Sequence, residues 1–291
     1  MKKPVTFEDS VERSTIKLIH SVMAYSITED DAPVYENQNL RHMYYSLLRH
    51  KDERDTWYWP ESAYWITYDN SIPLLLLPYL DARWEDMNTM QEVGVYNHTV
   101  FTSGWEWGYW LIDWSIARWG WQFTWNGEER STSPTQFFYD LFEDKKLHNL
   151  FREAMHLQTD DLKKKNLLRF MCPSNPTDEF PAPYNKQFQP RTEWRMKWLQ
   201  KEATIAQMDT IVNNGIADLR TYADSMEALV HDLNERLGTL QANDRLPHER
   251  LLTLGNELIR ALKVTVQRAR HKAATLHYMI AERKYKLTDE Q

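Results

Sequence analysis

A proline-rich stretch divides the chain into two regions that cannot fold by the same rules. Cys172–Pro190 (CPSNPTDEFPAPYNKQFQP) holds five of the chain's 12 prolines and no periodic apolar pattern, and it reads as a linker or extended surface loop. Only Pro247 follows it. Beyond it, over residues 191–291, apolar residues recur at helical spacing. Thr192 is placed to cap a helix carrying Trp194, Trp198, Ile205, Met208, Ile211 and Val212, and Asn213-Asn214-Gly215 is a point of breakage or kinking. The stripe resumes through Ile216, Leu219, Met226, Leu229, Leu233 and Leu237, with Gly238 as a stop signal. After Pro247 a last helix presents Leu251, Leu254, Leu258, Leu262, Val266, Ala269, Ala273, Leu276 and Ile280. Two such helices joined by Gly238–Leu246 make an antiparallel hairpin with one face still to cover, by the first region or by a second copy of the chain. A homo-oligomer through this bundle is one expectation.

Residues 1–171 use a different grammar. Eleven of the 13 tryptophans lie between Trp57 and Trp125. Val11–Tyr25, Asn39–His50, Tyr79–Met90, Trp107–Trp119, Pro134–Phe142 and Lys145–Gln158 read as helices. Ala63–Tyr68, Pro73–Leu77 and His98–Thr102 read as strands, the second wholly apolar as in a strand covered on both faces. Strands separated by helices imply an α/β arrangement with parallel strands, here a partial barrel-like region, because the strands are too few to close eight-fold. The expected fold class is therefore a partial parallel α/β region followed by an all-α hairpin, mostly helical overall.

Several functions are excluded or disfavoured by what the chain lacks. Eight glycines include no P-loop and no G-x-G-x-x-G, a single cysteine permits no internal disulfide, and the ten histidines show no i, i+4 zinc pair, so no cofactor or metal is expected. A net charge of −7 argues against general nucleic-acid binding, although Arg260–Lys286 carries eight basic side chains and one acidic, Glu282. Neither a secretory signal nor a membrane span is visible, and a cytoplasmic location is the expectation.

The segment Thr102-Ser103-Gly104-Trp105-Glu106-Trp107-Gly108 follows a strand candidate, where parallel α/β folds bind ligands. A carboxyl group among indoles is poorly solvated when charged, so Glu106 suits a general acid. Ser103-x-x-Glu106 is also a capping box, and that role competes. Asp69 follows the first strand candidate and is a second carboxylate or a turn residue. Asp113, seven residues after Glu106 on the same helical face, is placed to support it or to pair with Arg118. Glu61, at the amino end of a strand candidate, reads as structural. Tyr64, Trp84, Trp105 and Trp107, with Arg83 and His98, complete the candidate substrate-binding set. The stripe Trp107, Trp110, Trp114 and Trp121 reads more readily as core than as a binding platform.

The runs WYWPESAYWITYDNSIPLLLLPYLDARWEDM and TSGWEWGYWLIDWSIARW resemble a family of bacterial proteins with glycosidase-like, TIM-barrel-type domains followed by helical bundles. The resemblance implies a carbohydrate-active barrel edge, with Glu106 as general acid/base, Asp69 as second carboxylate and a carbohydrate or other small molecule as ligand. The chain departs from that pattern in length, since the earlier part of a barrel is missing. The alternative is a non-catalytic interaction protein working through its bundle.

Overall fold

The computed structural model describes residues 12, 14–32, 37–62, 74–102, 106–122, 133–165, 167–171, 198–242 and 246–289. Among them the chain is mostly helical, with one small parallel sheet and no barrel. Strands β1 (Lys17–Ser21) and β2 (Thr56–Pro60) pair in parallel, Lys17 opposite Thr56 and Ser21 opposite Pro60. A third extended segment lies beside β2 through parallel bridges Tyr58–His98 and Glu61–Phe101.

The strand positions correct the sequence reading. β1 lies inside Val11–Tyr25, expected to be a helix. Its apolar residues fit both periods, and pairing with β2 selects the extended form. Ala63–Tyr68 falls outside the described residues, and the observed strand is the TWYWP just before it. His98–Thr102 does run parallel beside β2, though as isolated bridges. Leu74–Leu77 is wholly buried yet is not a strand. Side chains satisfy its backbone instead: the Gln158 carboxamide accepts from Leu77 N (2.8 Å) and donates to Leu75 O (3.1 Å), and the Tyr109 hydroxyl donates to Leu74 O.

The helices follow the sequence closely: α1 (Arg41–His50), α2 (Pro78–Glu92), α3 (Tyr109–Gln122), α4 (Gln136–Phe142), α5 (Lys145–Gln158) and the short α6 (Leu168–Met171). In the last region α7 (Ile205–Ile211) is capped by Thr204, whose hydroxyl accepts from Gln207 N while the Gln207 side chain takes Thr204 N. The expected Thr192 cap lies outside the described residues. Asn213-Asn214-Gly215 does not break the helix. It sits in a π segment, Val212–Ile216, that passes directly into α8 (Ala217–Gly238). α9 (His248–Asp289) returns antiparallel to α8.

The open face of this hairpin is covered by the chain's own first region. α8 packs on α5, and α9 packs on the turn before α3. Leu258 and Leu262 are fully buried, and the buried residues of both regions form one continuous apolar cluster. A buried polar chain runs through it: Gln158 donates to the Tyr222 hydroxyl (3.3 Å), which is 2.7 Å from Thr265 Oγ1. Asp144 caps α5 by accepting from Leu147 N and also receives Arg236 of α8, which holds its carboxyl below the usual range.

The first region is locked by Arg83. This fully buried guanidinium donates to Asp86 (2.7 Å), the Tyr58 and Ser21 hydroxyls, Glu61 O and Met23 O. The second oxygen of Asp86 accepts from Ser26 Oγ and Ile27 N. Replacing Arg83 with Leu strands the Asp86 carboxylate in the core. The expected loss is about 3–5 kcal/mol in a denaturant titration. Asp144→Ala removes a cap and a cross-helix ion pair, with an expected cost of about 1–2 kcal/mol. Because the Asp144 carboxyl is held low, that difference shrinks as pH falls through its folded value, which denaturation at stepped acid pH measures.

Candidate functional site

The two faces of the sheet have different chemistry. One carries Ser21 and Tyr58 into the Arg83–Asp86 network, and burial, with Asp86 beside it, pushes the Tyr58 phenol well up. On the other face His20 stacks on its register partner Trp59, with ring centroids 4.8 Å apart, and Phe101 closes on both at 5.7 and 5.2 Å. Burial, then the Arg83 charge, brings the His20 imidazole down to about 4. Its Nε2 is buried and has no hydrogen-bond partner among the described residues.

The carboxyl ends of the strands lead to Glu61, Ser62 and Thr102. Glu61 follows β2 rather than preceding a strand, and its carboxylate accepts from Met23 N (3.2 Å) and the Tyr79 hydroxyl (2.8 Å). That arrangement is structural, as expected, but sits at the opposite strand end. Facing Thr102 is Asp113 of α3, whose Oδ2 accepts from Thr102 Oγ1 at 2.6 Å. Among the described residues no partner lies within hydrogen-bonding geometry of the buried Asp113 Oδ1. Burial raises the Asp113 pKa, against the opposing pull of the Ser62 and Thr102 hydroxyls. Arg118, weighed as its partner, instead pairs with Asp140 at 2.7 Å. Among the described residues no cation pairs with Asp113.

The remaining candidates are scattered. Asp69, Tyr64, Trp105 and the capping candidate Ser103 fall outside the described residues. Glu106 opens a three-residue 3-10 turn, Glu106–Gly108, at the foot of α3, and its side chain is not among those described. In that turn Trp107 adopts φ 59° and Gly108 φ 84°. Trp84 is half-buried against the core. Arg83 is wholly buried and serves the fold, since its donors face protein atoms. His98 does line a cavity, with Tyr58, Met87, Met90 and Gly120, but its volume of about 20 Å³ holds roughly one water. The His98 ring lies so close to Gly120 that a Cβ there would sit 2.1 Å from it.

The tryptophan stripe divides: Trp107, just before α3, and Trp114 and Trp121 on it are 43%, 45% and 70% exposed, Trp110 is partly buried against the core, and Trp119 enters it. His20 was missed because its segment reads as a helix. Asp113 was noticed only as a neighbour of Glu106, and its isolation from Arg118 is visible only in three dimensions.

Other features point elsewhere. His231, Asp232 and Glu235 lie within 4.8 Å of one another but are exposed on α8, as a solvated helix face would be. Among the described residues no helix is long and apolar enough to cross a membrane. Comparison with known proteins finds no matching family model, no matching curated protein and no matching solved structure.

Two groups make the pH dependence of this region testable. A raised carboxyl pKa means the folded state holds its proton more tightly, so Asp113 costs stability as pH climbs from the ordinary value of about 3.9 through the folded one. Asp113→Asn is expected to be more stable than wild type at pH 7, with the gap closing below about pH 4. His20 has the opposite slope. Its folded value lies near 4 against 6.5 unfolded, so stability is lost as pH falls across that window, and His20→Phe flattens the loss. Urea midpoints from pH 3 to pH 8 read both.

Proposed function

We propose that the chain is a carbohydrate-directed protein of glycosidase-like character, with its site where the strand ends meet the foot of α3. The observation that carries this reading is Asp113, a partly buried carboxyl with a raised pKa, hydroxyls on Ser62 and Thr102 beside it and, among the described residues, no cation paired with it. Burial favours the protonated form of such a carboxyl, and that form donates a hydrogen bond to a neutral, hydroxyl-rich ligand or a proton to a leaving oxygen. Half-exposed Trp107 offers an apolar ring face of the kind that stacks on the C–H face of a sugar. In this reading Glu106 is the general acid/base and Asp69 the second carboxylate, with Trp105 and Tyr64 extending the platform.

The alternative, an interaction protein working through its bundle, is less well supported. The apolar face it needs, with Leu258 and Leu262, is buried within the chain.

The test is a panel of aryl glycosides and oligosaccharides assayed for both turnover and binding. Turnover or binding by wild type is expected. Glu106→Gln should lose turnover by about 100-fold or more, and Asp113→Asn should shift the pH profile while keeping the fold. Binding without turnover in wild type would make the protein a carbohydrate-binding module. If Asp113→Asn and Glu106→Gln match wild type on every active ligand, the site is misplaced.

A further inference from the structure

The turn that carries Glu106 and Trp107 is held by the far end of the chain. Glu257 lies on α9, and its Oε1 accepts from Gly108 N at 2.7 Å and from the Trp110 indole N–H at 3.1 Å. Gly108 stands just before α3, where backbone amides have no partner within the helix, and the second donor is the side chain of a first-turn residue. A carboxylate there also meets the positive end of the helix dipole. The same turn places a bulky residue, Trp107, in the left-handed region, where side chains other than Gly are rarely found. Gly108 follows at φ 84°, and a Cβ on it would come within 2.7 Å of Leu258 and 3.1 Å of Leu75. Strain of this kind persists only where the surroundings over-determine it. Here Glu257 takes the free amide while Leu258 and Leu75 close around Gly108.

We propose that Glu257 is a positioning residue: its carboxylate fixes the Glu106–Gly108 turn, and so sets the backbone of Glu106 and the exposed indole of Trp107 for a sugar ring. The geometry stands without the carbohydrate reading, but the consequence for ligands rests on it. The helical hairpin then contributes to the site from 149 residues away in sequence, rather than being an appended module.

Glu257→Ala and Glu257→Gln in the full chain test this, since the amide oxygen of Gln still accepts both bonds. The first readout needs no ligand: the ¹⁵N–¹H indole resonances, with Trp107 and Trp110 assigned from Trp107→Phe and Trp110→Phe. In the Ala variant both signals should move, and in the Gln variant both should stay near their wild-type positions. A Trp107 signal unmoved in Ala, or moved as far in Gln, overturns the proposal. The second readout is a tryptophan-fluorescence titration with cellohexaose, chitohexaose and maltohexaose. Loss of a charge-assisted contact should weaken binding about tenfold in Ala, and Gln should restore it to within about twofold of wild type. Unchanged affinity in Ala overturns the positioning role. If no hexaose binds wild type, the carbohydrate reading fails while the indole spectra still decide what Glu257 does.

Discussion

The buried ion pair Arg83–Asp86 is the constraint on which the first region depends. A guanidinium and a carboxylate removed from water are favourable only when nearly every donor and acceptor is occupied. Here the occupants come from three elements: Ser21 and Met23 at the end of β1, Tyr58 and Glu61 around β2, and Asp86 one turn along α2 from Arg83. Five-residue strands supply few ladder bonds, so a two-stranded sheet of this size cannot hold its own register. The ion pair supports that register, because a one-residue slip would carry the Ser21 or Tyr58 hydroxyl away from Arg83 and leave a buried guanidinium N–H without its acceptor. It also fixes which face of the sheet turns to α2, and therefore which face presents His20, Trp59 and Phe101.

A second set of buried polar contacts joins the two halves. Gln158 satisfies the Leu74–Leu77 backbone and reaches Tyr222 and through it Thr265, so one side chain of α5 touches the first region and leads to α8 and α9. Arg236 reaches the cap of α5, and Glu257 reaches the foot of α3. These contacts specify position, which apolar packing does poorly because it is non-directional. They account for how an amphipathic hairpin comes to hold a strained turn at the strand ends.

The helices were largely legible in the sequence, α5 to the residue, because a 3.6-residue apolar period over several turns leaves little ambiguity. The strands were not. β1 lies in a segment whose apolar spacing fits helix and strand alike. TWYWP was passed over for the neighbouring AYWITY, and PLLLL has the composition of a buried strand while its backbone is satisfied by a glutamine 81 residues away. A polar side chain so distant in sequence leaves no local signal. The site was legible in the same uneven way. Asp113 was visible only through its spacing from Glu106. His20, Ser62 and Glu257 were not, since each acquires its role from a partner on another element.

By itself the sequence determined a mostly helical chain, with a C-terminal hairpin whose apolar face had to be covered and a tryptophan-rich region around a few parallel strands. Periodicity and composition are local properties, and they suffice for those statements. Only the tertiary structure decided that the hairpin covers its face on the first region, that Arg83 is a buried anchor, and that Trp114 and Trp121 of α3 face outward while Trp119 fills the core. The physical reason is common to all three. An apolar or charged side chain announces that it needs a partner, but which partner it finds depends on long-range packing that no window of sequence contains.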